Sequence, residues 1–235
     1  MCFRADAILA RMAPSLIHEI LPVGWLQCNC SVVGDSETRE AIVLDPGDEV
    51  ERIQEILARH GLTVRAIVNT HAHIDHVGGL RKLHDVTGAP VLMHPDDLEL
   101  YRALEMQAAW IGMPVPEIAD VDGLLRDGDQ VRWGRYAANV IHTPGHTPGS
   151  LCLHLPQAEQ GTVTDGTGKL FAGDTLFAGS IGRTDLWGGS FDAIMRSLQT
   201  KLMAFPDDTL VFPGHGPATT IGRERNSNPF LRARL

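Results

Sequence analysis

Cysteine is scarce in this chain. Four residues in 235 (Cys2, Cys28, Cys30 and Cys152) cannot form a disulfide framework in a chain long enough to bury a core, so a reducing cytoplasm is the expected compartment. Long apolar runs are absent as well; nothing approaches the roughly 18 consecutive residues of a membrane span. The opening Met1-Cys2-Phe3-Arg4-Ala5-Asp6 lacks the apolar core and small-residue cleavage site of a secretory signal, and residues 1–15 read as a loose tail. Basic runs stop at Arg81-Lys82 and the net charge is −9, which argues against nucleic acid as a partner and weakens any nuclease reading.

Apolar residues make up 43% of the chain, enough for one large domain. Short strands are expected at about Ile17–Leu21, Leu26–Val33 and Ala41–Leu44, followed by a turn, Asp45-Pro46-Gly47-Asp48, with Asp48 as helix cap. Val50, Ile53, Ile56 and Leu57 then repeat at helical spacing up to Gly61. Strand Val64–Val68, a helix from Gly79 to Val86 and strand Pro90–Met93 complete a βαβ pattern. Asp96 to Ala109 reads as one helix whose apolar stripe packs in the core. Later strands are expected at Gln130–Trp133, Ala137–His142, Ser150–Leu155, Leu170–Ala172 and Leu210–Phe212. A surface hairpin tip is expected at Thr164–Gly168, and a last long helix from Phe191 to Met203. With no linker or repeat in view, 16–235 reads as a single domain of two strand-rich halves.

What is abundant is histidine at strand ends. The stretch Asn69-Thr70-His71-Ala72-His73-Ile74-Asp75-His76-Val77-Gly78-Gly79 follows strand Val64–Val68 directly. Positions two apart in an extended chain point the same way, so His71 and His73 can face one point while Asp75 and His76 face a second. Three histidines and an aspartate within six residues make a metal site a better reading than a polar turn. The helix start near His76 is expected to favour its neutral, ligating form. Three later strands end in one ligand flanked by glycine: His146 in Thr143-Pro144-Gly145-His146-Thr147-Pro148-Gly149, Asp174 in Gly173-Asp174-Thr175, and His215 in Pro213-Gly214-His215-Gly216.

Together these give His71, His73 and His146 for one ion and Asp75, His76 and His215 for a second. Asp174 is placed to bridge two cations about 3.5 Å apart. An all-nitrogen-and-oxygen set suits zinc, with iron or manganese as alternatives, and the lack of cysteine ligands argues against a structural zinc. Two such ions bring a shared water to a roughly neutral pKa, so a hydroxide bridging the metals is expected, with Asp75 orienting it and accepting its proton. The centre is net positive and so suited to a small anionic substrate. Metal-assisted hydrolysis of an acyl bond is the reaction class.

His71-Ala72-His73-Ile74-Asp75-His76, then His146, Asp174 and His215 in that order, resemble the metallo-β-lactamase superfamily. Gly173-Asp174-Thr175-Leu176-Phe177, Gly182-Arg183-Thr184-Asp185 and the closing Thr220 to Phe230 are similar to its glyoxalase II-like (hydroxyacylglutathione hydrolase) short bacterial branch. The resemblance implies an αββα four-layer sandwich, two mixed sheets flanked by helices, with a dinuclear site at the edge between them. It also implies hydrolysis of a thioester such as S-lactoylglutathione. The C-terminal helical domain that supplies glutathione contacts in longer members is not expected here. The lysine-and-tyrosine segment of those members is replaced by Ser180-Ile181-Gly182-Arg183-Thr184-Asp185. Arg183 is open to two roles, gripping a substrate carboxylate or pairing with Asp185. Two other activities of the superfamily stay in view, a mononuclear-iron persulfide dioxygenase and a lactonase or β-lactamase.

Cys28 and Cys30 share one strand face and read as buried packing. His94 and His142 are open to a role in orienting ligands, His142 more than His94. Trp187 is open to a place in a pocket wall or in packing, and Thr175 is expected to cap the segment after Asp174.

Overall fold

The computed structural model describes residues 15–156 and 167–232. The expected N-terminal tail and most of the expected hairpin tip at Thr164–Gly168 lie outside them.

The first sheet forms from β1 (Leu16–Val23), β2 (Cys28–Asp35), β3 (Glu40–Leu44), β4 (Thr63–Val68), β5 (Val91–Met93) and β6 (Gly123–Leu124), in that order. β1, β2 and β3 pair antiparallel, and β3 to β6 pair parallel. The second sheet has the order β14 (Thr219–Thr220), β13 (Leu210–Pro213), β10 (Lys169–Gly173), β9 (Leu151–Leu155), β8 (Tyr136–His142), β7 (Gln130–Trp133). Only its β10–β13 contact is parallel. A short hairpin, β11 (Leu176–Phe177) with β12 (Ser180–Ile181), stands apart from both sheets.

Side-chain alternation along the strands sorts the core into layers. On β3 and β4, Val43, Val64 and Ile67 pack toward α1 (Val50–His60) and α3 (Leu80–Thr87), together with Val50, Ile53, Leu80 and Leu83. Their neighbours Ile42, Leu44, Ala66 and Val68 face the other way, onto Trp133, Val140, Leu151, Leu153 and Phe171 of the second sheet. The outer face of that sheet presents Cys152, Leu170 and Ala172 to Ile194 and Leu198 of α6 (Phe191–Thr200) and Ile221 of α7 (Ile221–Ser227). Helix, sheet, sheet, helix is the four-layer αββα arrangement that the resemblance implied.

Three local expectations are corrected. Asp48 does not cap α1; the position before the helix is Glu49, in the left-handed region at φ 50°, and Asp48 instead accepts a 2.7 Å bond from the Glu49 amide. The helix expected over Asp96–Ala109 is three pieces: a 3₁₀ turn at Pro95–Asp97, α4 (Leu98–Arg102) and α5 (Leu104–Ile111), broken at Ala103. Gln107 explains the break, since its amide nitrogen donates to the Leu100 and Ala72 carbonyls and its oxygen accepts from Ile74 N. Tertiary bonds there outweigh helical continuity. Thr175 caps nothing; it is buried, with its hydroxyl 2.9 Å from that of Thr143.

Candidate metal centre

Each predicted ligand sits just beyond the carboxyl end of a strand, and the folded chain brings all seven together. His71 and His73 follow β4, and Asp75 and His76 lie on the four-residue helix α2 (Ile74–Val77). His146 follows β8, Asp174 follows β10 and His215 follows β13. Three overlapping triads have ligand atoms within 4.8 Å of one another: His71, His73, His146; His71, His76, Asp174; and Asp75, His76, His215.

Glycines admit this convergence. Gly173 takes φ 47° where a side chain would run into Thr70, and a Cβ at Gly214 would overlap Asp174 Oδ1 and come 2.8 Å from His76 Cε1. Asp174 then spans the cluster, with Oδ1 3.5 Å from His76 Nε2 and Oδ2 3.6 Å from His146 Nε2 and 3.7 Å from His215 Nε2.

Outward bonds set the tautomers. Nδ1 of His146 donates to the Arg183 carbonyl at 2.8 Å, and Nδ1 of His215 to the Leu26 carbonyl at 3.1 Å. His76 Nδ1 lies 3.1 Å from Asp45 Oδ2. His71 Nδ1 lies 3.1 Å from the Thr70 hydroxyl, which spends its own proton on Asp45. With Nδ1 of these four rings bonded outward, their Nε2 atoms face inward and, in the neutral ring, each carries a lone pair. They converge: His146 Nε2 is 3.2 Å from His71 Nε2, and His76 Nε2 is 3.2 Å from His215 Nε2. His73 presents its other nitrogen, with Nδ1 2.9 Å from His146 Nε2 and its buried Nε2 without a hydrogen-bond partner. Asp174 Oδ1 is buried without a hydrogen-bond partner. Converging lone pairs repel unless a cation lies among them, so the donor set fits divalent metal ions.

Protonation follows burial and charge. Burial and the neighbouring imidazoles hold His71 well below the usual histidine range, and burial with His146 brings His73 down to about 3. Burial works against Asp75 ionising, but His76 and His215 hold its carboxyl well below the ordinary value. The expectation for His76 is corrected. Burial does disfavour its charge, yet the carboxylates of Asp75, Asp174 and Asp45 outweigh that and raise it. Three nearby carboxylates exceed anything a four-residue helix offers as a dipole.

Two supporting aspartates carried no signal recognised in the sequence. Asp45 binds the Thr70 amide and hydroxyl, both at 2.7 Å, and Asp97 accepts from Ala72 N, Thr147 Oγ1 and Gly149 N. Asp45 was within reach, since it too follows an apolar strand and leads a Pro-Gly turn; Asp97, buried beside an ordinary proline turn, was not. His94 and His142 touch none of the seven ligands directly. They stack at 3.9 Å, His94 accepting from Asp96 N and His142 donating to the Pro148 carbonyl, so they brace the segments that carry Asp97 and His146. Cys28 and Cys30 are buried as expected, and Cys28 Sγ also lies 3.4 Å from His76 Nδ1. Burial pushes the Cys28 thiol up to about 12, which keeps it protonated.

A pocket of about 260 Å³ opens over His73, Asp75, His146, Asp174 and His215, walled by Trp110, Trp187 and Arg183. Trp187 thus takes the wall position. Of the two roles open to Arg183, the structure shows the ion pair, with Nε and Nη2 each 2.8 Å from an Asp185 oxygen.

This metal-ready cluster on an αββα sandwich belongs to a known class. The metallo-beta-lactamase superfamily model matches residues 23–215, and the chain belongs to that superfamily of metallohydrolases. Among its relatives, the hydroxyacylglutathione hydrolase GloC of Haemophilus influenzae is 34% identical over 223 residues, 92% of this chain and 98% of GloC. The BLEG-1 B3 metallo-beta-lactamase has a TM-score of 0.82 at 36% identity, covering 92% of this chain and all of that one. TTHA1623 in a di-iron-bound form has a TM-score of 0.76 at 38% identity, covering 91% and 100%. No helix among the described residues is long and apolar enough to cross a membrane.

Proposed function

We propose that this protein is a dinuclear metallohydrolase that cleaves thioesters, with residues 16–235 acting as one catalytic domain. One observation carries the reading: imidazole lone pairs in two adjoining groups face one another, and the Asp174 carboxylate reaches across both. His71, His73 and His146 would hold the first ion and Asp75, His76 and His215 the second, with the Asp174 carboxylate within reach of both groups. When bound, such ions acidify a water to near neutral pH and polarise an acyl carbonyl. Zinc fits the donors, and the di-iron form of TTHA1623 supports iron as an alternative.

The chain's own groups supply the rest. Asp75 is ionised, buried on all but its edge, and within 3.1 Å of His215 Nε2, so it can orient the attacking water and take its proton. Asp45 and the Leu26 and Arg183 carbonyls keep three imidazoles turned inward. The walls of Trp110 and Trp187 shield the reacting carbonyl from bulk water. The name of GloC supports a glutathione thioester as a member of the substrate class, and that of BLEG-1 supports testing a β-lactam beside it.

Elemental analysis combined with kinetics tests this. Two metal ions per chain are expected, with metal-dependent hydrolysis of S-lactoylglutathione or of simple thioesters faster than of a β-lactam or lactone. One iron per chain with oxygen uptake on glutathione persulfide would replace the proposal with an oxidoreductase.

A further inference from the structure

The pocket lining includes six apolar residues, Leu26, Ile74, Trp110, Ile111, Leu186 and Trp187. The two tryptophans form an aromatic wall beside the cluster: the Trp187 ring is 6.5 Å from that of His73, and Trp110 meets Trp187 edge to face at 5.5 Å. A second, outer cavity of about 480 Å³ extends past the same two tryptophans. Trp110 leaves 57% of its surface exposed, so core packing does not account for its place beside the cleft. A large ring left in water at a pocket mouth suits a partner that covers it.

Charge at the wall is cancelled. Arg183 is the one arginine or lysine among the lining residues, and Asp185 takes the Nε–Nη2 edge of its guanidinium. Its Cζ lies 6.0 Å over the Trp110 ring. A guanidinium held this way offers a flat, weakly hydrated face rather than a free charge. A substrate carboxylate would either displace Asp185 or take the remaining Nη1 side of the guanidinium, with the Asp185 charge left beside it at the rim.

We propose that the pocket selects thioesters with a neutral, flat or apolar arm, that Trp110 and Trp187 determine this specificity, and that the Arg183–Asp185 pair disfavours carboxylate-bearing arms. This rests on the thioester-hydrolase reading and names its substrate class.

The test uses two thioethers that cannot be hydrolysed, titrated calorimetrically into zinc-loaded protein: neutral N-acetyl-S-benzylcysteamine and anionic S-methylglutathione. The neutral compound is expected to bind at least tenfold tighter. Trp110→Ala should weaken it about five- to tenfold, the scale of one lost ring stack, with metal content unchanged. Asp185→Asn should strengthen S-methylglutathione binding several-fold by freeing Arg183. The proposal is overturned if S-methylglutathione binds as tightly as the neutral compound, if neither binds measurably, or if Trp110→Ala changes the neutral affinity by less than twofold. An unchanged S-methylglutathione affinity in Asp185→Asn overturns the role of the ion pair. Because binding is read without turnover, a protein that prefers the neutral thioether yet hydrolyses no thioester refutes the hydrolase reading alone.

Discussion

Asp97 Oδ2 accepts a 2.8 Å hydrogen bond from the Thr147 hydroxyl and so ties the loop carrying His146 to the loop carrying His71 and His73, whose Ala72 amide it also binds. Neither residue lies among the seven ligands, yet their contact sets the spacing of the first triad. Asp97→Ala leaves two buried amides, those of Ala72 and Gly149, without an acceptor and turns the Thr147 hydroxyl to Ser150 Oγ. At about 1–3 kcal/mol for each unsatisfied group, partly relieved by entering water, a loss of about 3 kcal/mol is expected in denaturant unfolding. Affinity for the first ion should fall roughly 10–100-fold, measured by competition with a chromogenic chelator. A loss of stability without a loss of metal affinity would reduce Asp97 to a structural role.

Asp75 is the proposed proton acceptor. Asp75→Ala should lower kcat by about 10²–10⁴-fold, the range for a general base. The fold should survive, because the strands that carry the site pack through Ile67, Val68 and Leu151 rather than through Asp75. Near wild-type kcat with full metal content would refute the role; circular dichroism checks the fold.

Gly214 lies against the Asp174 carboxylate. A methyl group there overlaps Asp174 Oδ1 and crowds His76, so the carboxylate must swing away. Gly214→Ala is therefore expected to lower bound metal from two ions per chain toward one, read by elemental analysis, while the melting temperature of the metal-free protein changes little.

A pH effect on stability is expected far from the site. Asp35 is buried, and although burial opposes its ionisation, bonds from the Arg135 guanidinium and from the Glu37 and Arg135 amides hold its carboxyl well below the usual range. Unfolded, it titrates near its ordinary value of 3.8, so below that pH the unfolded chain binds the extra proton. This contribution is fully present above about pH 4 and is lost as pH falls toward the folded value. Urea midpoints measured from pH 6 to pH 3 should fall more steeply for the wild type than for Asp35→Asn. Parallel slopes would show that the pair contributes nothing.

The convergence of the candidate ligands was legible in the sequence, for a local reason. A strand end followed by glycine confines a side chain to one edge of a sheet, so His71, His73, His146, Asp174 and His215 announced themselves by position. Asp75 and His76 did so by proximity. Less local features were not legible. The break at Ala103 depends on Gln107 bonding to residues more than thirty positions earlier, and helical spacing carries no trace of that. Asp97 joins loops 25 and 52 residues away.

The sequence by itself determined the ligand chemistry, because residue type and strand-end placement are written in the chain. The tertiary structure decided three other things. It showed that all seven donors meet, four of the imidazoles being held with Nε2 inward by partners such as the Leu26 and Arg183 carbonyls brought in from elsewhere. It raised rather than lowered the affinity of His76 for a proton, because three carboxylates gather around it. And it gave Arg183 to Asp185, leaving tryptophans as the pocket wall, because which partner a long cation finds depends on what the fold sets beside it.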